Sequence, residues 1–363
     1  MDAGMKVVPW LRTQLEQTPV VNRAAAPLRT VWRRLRREGR LLPARLVKTR
    51  YRLSGYSTIS RREFLQDLNQ AIEHGRGYAA GKIGRSNQFW MAYEIIRAKQ
   101  TDPAQLAAFE RDLCFHGLNQ MGIFPADPQF YLEFNRFYVE HVRNLDCIGI
   151  CYYPGELEIV RHYRFTNKLI GYPAQEPFFT LGHYPYFFSG DDLRLAREMS
   201  TGYLEYFRDK DILLICPFAG FLKERANKET FEAAWSKQAK AWFHPRSVEA
   251  LELPYGFAAA TQRRYRSAIQ LFDAITTQLD KRDFDIALIA AAGLAIPLAS
   301  HIKGQGRVAL DLGGILQVVF GVHGKRWLKW SRWQEAYFNE HWSRPPDRYR
   351  PDETAVCDAG AYW

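Results

Sequence analysis

The chain has 363 residues, 47% of them hydrophobic and 25% charged, the composition of an ordinary globular protein able to bury a substantial core. No stretch reaches the roughly eighteen uninterrupted apolar residues of a spanning helix, and the first residues lack the apolar run of a secretory signal. The net charge of +11 is concentrated in residues 1–52, which hold 13 Lys/Arg against 3 Asp/Glu, while the rest of the chain holds 37 against 36.

That imbalance marks residues 1–55 as a basic amphipathic arm. Between 27 and 53, Trp32, Leu35, Leu41, Leu42, Leu46 and Val47 interleave with seven Arg and Lys residues from Arg33 to Lys48, and Gly39 and Pro43 divide the run. Two short basic segments suit the anionic surface of a cytoplasmic leaflet, where each basic residue contributes about 1 kcal/mol. The plainer reading is a solvated arm. Nucleic acid is disfavoured, because the near-neutral body adds neither a binding motif nor further positive charge. The five cysteines are odd in number and mostly lie in apolar runs. They read as buried, reduced thiols in a cytoplasmic protein, not as a metal site.

A body expected over 56–329 opens with Ser60-Arg-Arg-Glu63, which has capping-box spacing, and a helix that carries Phe64, Leu65, Leu68 and Ile72 on one face. Tyr78–Ile83 reads as a buried strand. It runs into the turn Gly84-Arg85-Ser86-Asn87 and a helix over about 88–99, with Ser86 as its N-cap. Helices are predicted over 103–118 and 127–142, and a strand over 144–152. The aromatic, Gly- and Pro-rich stretch 165–190 reads as a long loop or lid. A helix over 192–207 leads to a strand at 211–217, a helix over 224–242, a strand at 247–253 and a helix over 265–279. The aromatic segment 330–363 is expected to pack back on the body.

The segment from Asp283 to Trp327 is the most informative. An apolar run, 286–292, meets Gly293; a helix with Pro297 in its first turn or so follows; a second run, 307–312, stops at Asp311-Leu312-Gly313-Gly314. Strand, turn, helix, strand, turn is the βαβ pattern of a parallel sheet buried on both faces. Parallel neighbours present their carboxyl ends on one edge, so Gly293 and the turn at 311–314 are expected to face one crevice. Asp311 is placed there to contact a ribose, hold an acceptor hydroxyl or act as a base, against the plainer reading of an Asx-type bond to its own turn. Gly313 and Gly314 either admit a phosphate close to the backbone or start a helix without crowding. His301 and His323 lack ligand spacing and read as structural or surface residues.

Three patches carry a resemblance: GKIGRSNQFW at 81–90, AAAGLAIPLASHI at 290–302 and ALDLGGILQVVFGVHGKRW at 309–327. Together they resemble the GT-D glycosyltransferases, once described as domain of unknown function 1792, over about residues 57–363. Strands alternating with helices on this scale predict a doubly wound α/β fold with a mostly parallel sheet of about six strands and helices on both faces, and the resemblance implies its Rossmann-like GT-D form. It also implies a nucleotide-sugar donor, a role in bacterial surface glycans and a metal held by an Asp-x-Glu turn. Here that turn is Arg85-Ser86-Asn87, which offers a guanidinium, a hydroxyl and an amide where Mn²⁺ or Mg²⁺ needs anionic oxygens.

Three readings of the turn stay open. Arg85, helped by Lys82, replaces the metal by pairing with the donor diphosphate, against the plainer reading of a solvated turn arginine. Alternatively the domain only binds nucleotide or glycan within a polysaccharide assembly complex. In the third, another carboxylate, such as Glu94 or Glu156, enters the site. The expected enzyme is a cytoplasmic glycosyltransferase, peripheral at the inner face of the membrane, with a glycan or lipid-linked acceptor. Asp311 and Arg85 are its catalytic candidates. Lys82, Gly84, Ser86, Asn87, Gly293, Leu294, Gly313 and Gly314 are its donor- or phosphate-binding candidates, with the N–H groups at Asn87 and Leu294 facing the leaving diphosphate.

Overall fold

The structure is a computed structural model, and it describes residues 58–59, 61–83, 87, 90–150, 179–180, 203–328, 331–351, 360 and 362–363. The basic arm, Ser60, Gly84, Arg85 and Ser86, Glu156 and most of the stretch 165–190 expected to form a loop or lid lie outside the described residues.

All strand pairings are parallel. In chain order the elements are β1 (Thr58–Ile59), α1 (Arg61–Glu73), β2 (Tyr78–Ile83), α2 (Tyr93–Lys99), α3 (Pro103–Met121), α4 (Pro128–Arg143), β3 (Cys147–Ile150) and β4 (Phe179–Thr180). The second half contains β5 (Asp211–Cys216), α5 (Ala219–Arg225), α6 (Lys228–Ala234), β6 (Ser247–Glu252), α7 (Ala259–Arg264), α8 (Ala268–Leu279), β7 (Ile286–Ile289), α9 (Ala295–Gly304), β8 (Val308–Asp311), α10 (Ile315–Val319), α11 (Lys325–Leu328) and α12 (Ser331–Ala336). The sheet order is β1-β4-β3-β2-β8-β7-β5-β6. Six strands have four residues or more, and β1 and β4 add two-residue rungs at one side. This is the α/β, Rossmann-like architecture expected from the alternation of apolar runs with helices.

Burial explains the strand sequences. Every residue of β7 and β8 is buried, as continuous apolar runs require in the middle of a parallel sheet, whereas edge strand β6 is buried only at Leu251 and exposes Glu249 and Glu252. On one face, Tyr78, Ala80, Ile212, Leu214, Ile286, Leu288, Val308 and Leu310 share a core with α1, α5, α6 and α10. Trp333 and Trp342, from the last part of the chain, join that core, and the Trp342 indole donates to the Ala234 carbonyl at 2.7 Å. On the other face, α9 packs across β2, β7 and β8 and also against α4.

These layers create a switch point. From β2 the chain leads to α4 and β3 on the α9 face; from β8 it leads to α10 on the opposite face. Connections diverging from adjacent parallel strands leave a crevice at their carboxyl ends, where open α/β sheets bind ligands. Here the crevice lies between Ile83 and Asp311.

Two predicted helices have other bounds in the structure. The run 224–242 breaks at Asn227, which caps α6 by accepting from Thr230 N at 2.9 Å, and the last regular turn is a 3₁₀ segment at Ser236–Gln238. Cap and helix compete for the same backbone groups, and the cap wins. Asn227→Ala is therefore expected to lower unfolding stability by about 1 kcal/mol and Asn227→Asp by far less. A denaturant midpoint equal to the wild type for Asn227→Ala would show that the cap contributes nothing. The run 265–279 starts only at Ala268, capped by Ser267, and is preceded by the separate helix α7. Of 192–207, the described part contains a 3₁₀ turn at Leu204–Phe207. Cys147 and Cys216 are buried free thiols, and burial pushes the Cys216 thiol far above its ordinary range, which makes it inert.

Candidate functional site

β8 ends in Asp311 because the apolar run Val308–Leu310 stops there, and Gly313 then takes a positive φ of 52° to turn the chain into α10. Asp311 is only 5% exposed. The β2–β8 ladder ends at the pair Ala80↔Leu310, and beyond it the Asp311 carboxylate continues the pairing: Oδ2 accepts from Lys82 N at 3.3 Å. Oδ1 accepts from Gly313 N at 3.0 Å, so the Asx-type bond exists as well. Burial pushes the carboxyl up to about 6, against the opposing pull of the Lys82 ammonium and of the two N–H donors. A side-chain carbon placed on Gly313 would lie 3.9 Å from Lys82 Nζ and 4.0 Å from Asp311 Oδ1, so ammonium and carboxylate converge on this glycine.

Beneath them sits a buried polar cluster. Tyr138, on the inner face of α4 with Phe134, Asn135 and Val142, has no exposed surface. Its hydroxyl accepts from Asn87 Nδ2 at 2.5 Å, and burial, then the charge of Asp311, holds the phenol well above its usual range. Asn135 donates to the Trp90 carbonyl at 2.6 Å, and the Trp90 ring meets Tyr138 edge-on at 5.4 Å. The segment after β2 is thereby pinned to α4 at Asn87 and Trp90.

Of the residues singled out in the sequence, Lys82, Asn87, Asp311 and Gly313 are brought together. Gly314 lies beside them, and its missing side chain admits the Tyr362 and Trp327 rings. Gly293 and Leu294 are elsewhere in their interactions. A side chain on Gly293 would meet Ile123 at 2.3 Å and the Met121 carbonyl at 2.9 Å, so this glycine serves close packing against the end of α3. The Leu294 N–H is taken by the Ala291 carbonyl at 2.9 Å in the 3₁₀ turn Ala292–Leu294, so it is not offered to a ligand as expected. Glu94 pairs with Arg136 at the surface. His301 pairs with Asp280, and His323 stacks on Phe338.

The sequence reading missed two features. Tyr138 sits at core spacing in an amphipathic helix and carries no local sign of function. An apolar cavity of about 130 Å³, partly open to solvent, lies where the carboxyl ends of β5, β6, β7 and β8 meet. Phe218, Tyr255, Leu271, Ala291, Gly314 and Gln317 are among its walls, so it adjoins the Asp311 turn through Gly313 and Gly314.

The donor set does not fit a divalent cation held as in an Asp-x-Glu turn. Both Asp311 oxygens accept backbone N–H groups, a lysine ammonium lies beside them, and the Asn87 amide is tied to Tyr138. Among the described residues no cluster of three His, Cys, Asp or Glu side chains is placed to hold a metal.

These features define an α/β protein with a polar site at the switch point of a parallel sheet. No protein-family model and no curated protein sequence matches the chain. It is similar to a solved structure described as "The highly conserved domain of unknown function 1792 has a distinct glycosyltransferase fold", at 12% identity, covering 85% of this chain and 91% of that one, with a TM-score of 0.44. A selenomethionine-substituted structure of domain of unknown function 1792 is similar at 13% identity over 73% and 81% of the two chains, with a TM-score of 0.40. "A New Glycosyltransferase (DUF1792) from Streptococcus sanguinis" follows at 14%, 72%, 82% and 0.33.

Proposed function

We propose that this chain is a glycosyltransferase that binds a nucleotide-sugar donor in the β2–β8 crevice and passes the sugar to a glycan or lipid-linked acceptor of a bacterial surface polysaccharide. The observation that carries this reading is the buried Asp311 carboxyl, poised near pH 6 beside the Lys82 ammonium at the switch point. The resemblance of 81–90 and 309–327 to GT-D sequences supports the choice of chemistry.

In this reading the acceptor hydroxyl attacks the anomeric carbon. The bond from that carbon to the donor phosphate breaks, its electron pair leaves with the diphosphate, and the acceptor proton passes to Asp311. Lys82 neutralises the diphosphate, with Arg85 as the proposed second cation, so positive side chains take the place of the missing Asp-x-Glu turn. Tyr138 and Asn87 hold the floor of the crevice. The basic segment 27–53 would keep the enzyme at the inner leaflet.

Thermal shift of the full chain with UDP, GDP and CMP, with and without Mn²⁺, followed by donor turnover, tests the proposal. Stabilisation by a nucleotide without Mn²⁺, together with turnover whose kcat/KM falls as pH drops through about 6, is the expected result. A nucleotide shift without turnover on any acceptor would instead identify a non-catalytic binding partner. For the arm, recovery with anionic vesicles and not with neutral ones is expected in flotation, and equal recovery would remove the membrane reading.

A further inference from the structure

We propose that the apolar cavity holds the hydrocarbon chain of a lipid-linked acceptor, and that exposed arginines in and just after α7 take that lipid's phosphate. This rests on the reading above and narrows its acceptor to the lipid-borne class. The walls decide the chemistry. No charged residue lines the cavity, so a phosphate or carboxylate finds no counter-charge inside it. Polar side chains in the walls are used or turned away. Tyr255 donates its hydroxyl to the Tyr349 carbonyl at 3.0 Å, and Gln317 Nε2 faces the Tyr362 carbonyl at 3.5 Å. Gln317 Oε1 and Trp363 Nε1 each have less than 1 Å² of accessible surface. A sugar or a nucleobase would strand its own hydrogen-bonding groups against such walls, and a hydrocarbon chain has none to strand.

Size and position agree. A cavity of about 130 Å³ lined in this way stays dry and has room for about five or six carbon atoms of an apolar ligand. It is partly open to solvent, so the remainder of a longer chain can leave through the mouth. It also reaches Gly313 and Gly314, and Gly313 is where Lys82 and Asp311 converge. A chain seated in the cavity therefore keeps the rest of the acceptor beside the proposed base.

Positive charge stands next to the wall formed by residues 254–257. Gln262 Nε2 donates to the Gly256 and Phe257 carbonyls at 3.3 and 3.0 Å, which holds α7 against that wall. Arg263, Arg264 and Arg266 are exposed, and among the described residues none of them pairs with a carboxylate. A free sugar has no use for either feature. An anionic amphiphile uses both: burial of its chain drives binding, and the guanidinium groups pair with its phosphate.

Calorimetric titration of the full chain with butyl, hexyl, octyl and decyl phosphate, each below its micelle-forming concentration, tests the assignment, with inorganic phosphate as the headgroup probe. Affinity should rise about threefold to fourfold per methylene up to about six carbons and then flatten, because further carbons lie outside the cavity. Geranyl phosphate beside decyl phosphate separates an isoprenyl chain from a straight acyl-like one. Ala290→Leu, which fills the cavity from the end of β7, should weaken octyl phosphate about tenfold or more, with the Tm equal or higher and the thermal shift with UDP, GDP or CMP unchanged. Ala291→Leu is the second filling variant. Arg263→Gln combined with Arg264→Gln should weaken all the alkyl phosphates alike and leave the gain per methylene. No alkyl phosphate tighter than inorganic phosphate, an affinity that keeps rising through decyl phosphate, or one unchanged in both filling variants would overturn the subsite and leave the donor reading intact. Loss of the nucleotide shift in the filling variants, with no alkyl phosphate bound by the wild type, would overturn it in favour of the donor's base. Chain binding without a response to any nucleotide would overturn the donor reading and, with it, the acceptor role of the cavity.

Discussion

Asp311→Asn is expected to yield a protein with two to four orders of magnitude less transfer activity, the range of a lost general base, yet no less stable than the wild type at pH 7.5. The reason is the direction of the shift. Burial raises the folded-state carboxyl to about 6 from an ordinary value of 3.8. Between those values the folded protein keeps a proton that the unfolded chain has released, so stability falls as pH rises through the window. Above about pH 6 the full penalty, about 3 kcal/mol, is present; below about pH 4 it is gone. Asparagine carries no charge to desolvate, and its oxygen still accepts from Gly313 N.

Denaturant titrations of both proteins from pH 4 to pH 8 check this. The wild type should lose stability relative to Asp311→Asn as pH rises through the window. If the variant is instead the weaker protein at pH 7.5 by more than about 1 kcal/mol, attraction to Lys82 dominates, and Asp311 is a structural partner and not a poised base.

The second large effect is steric. Gly256→Ala should cost about 3 kcal/mol or more, a fall in Tm of roughly 6–10 °C. A side-chain carbon on Gly256 would lie 1.9 Å from the Gly122 carbonyl oxygen and 2.8 Å from its carbon. The obstacle is backbone, and it cannot swing aside. Gly122 itself has φ 66° at the end of α3, where its N–H closes the helix on Leu118. Both glycines line the cavity, so a shift that relieves the clash reshapes it. Gly304→Ala is the control: nothing lies within 4 Å, and the position is helical, so a gain of up to about 1 kcal/mol is expected. A melting temperature for Gly256→Ala equal to the wild type would show that the two backbones are not in contact in solution.

Parts of the site were legible before the fold was known. Asp311 closes an apolar run and shortly precedes two glycines, and Lys82 lies in a run that ends in a polar turn opened by Gly84, so both carry local signs of a strand end. Tyr138 does not, since a tyrosine among Phe134, Val139 and Val142 reads as core, and only the depth of Asp311 makes it part of a polar cluster. Leu294 lines the cavity, but its N–H is already bonded, although a Gly-Leu step after a strand looks like a helix N-terminus. The 3₁₀ turn that uses up its N–H depends on α3 packing behind Gly293. The helix break at Asn227 was overlooked for the opposite reason: its cap is local, but the surrounding apolar pattern continues across it.

The sequence by itself determined the alternation of apolar runs and amphipathic helices, hence the parallel α/β class, the site edge and the concentration of charge in residues 1–52. Such features are encoded among near neighbours, by periodicity, caps and glycine turns. Only the tertiary structure decided that β2 lies beside β8, which brings Lys82 to Asp311 across 229 positions. It also decided that the ends of four strands and the residues near Trp363 enclose one cavity. Strand order follows from how layers cover both faces of the sheet together, and no local stretch of sequence carries that information.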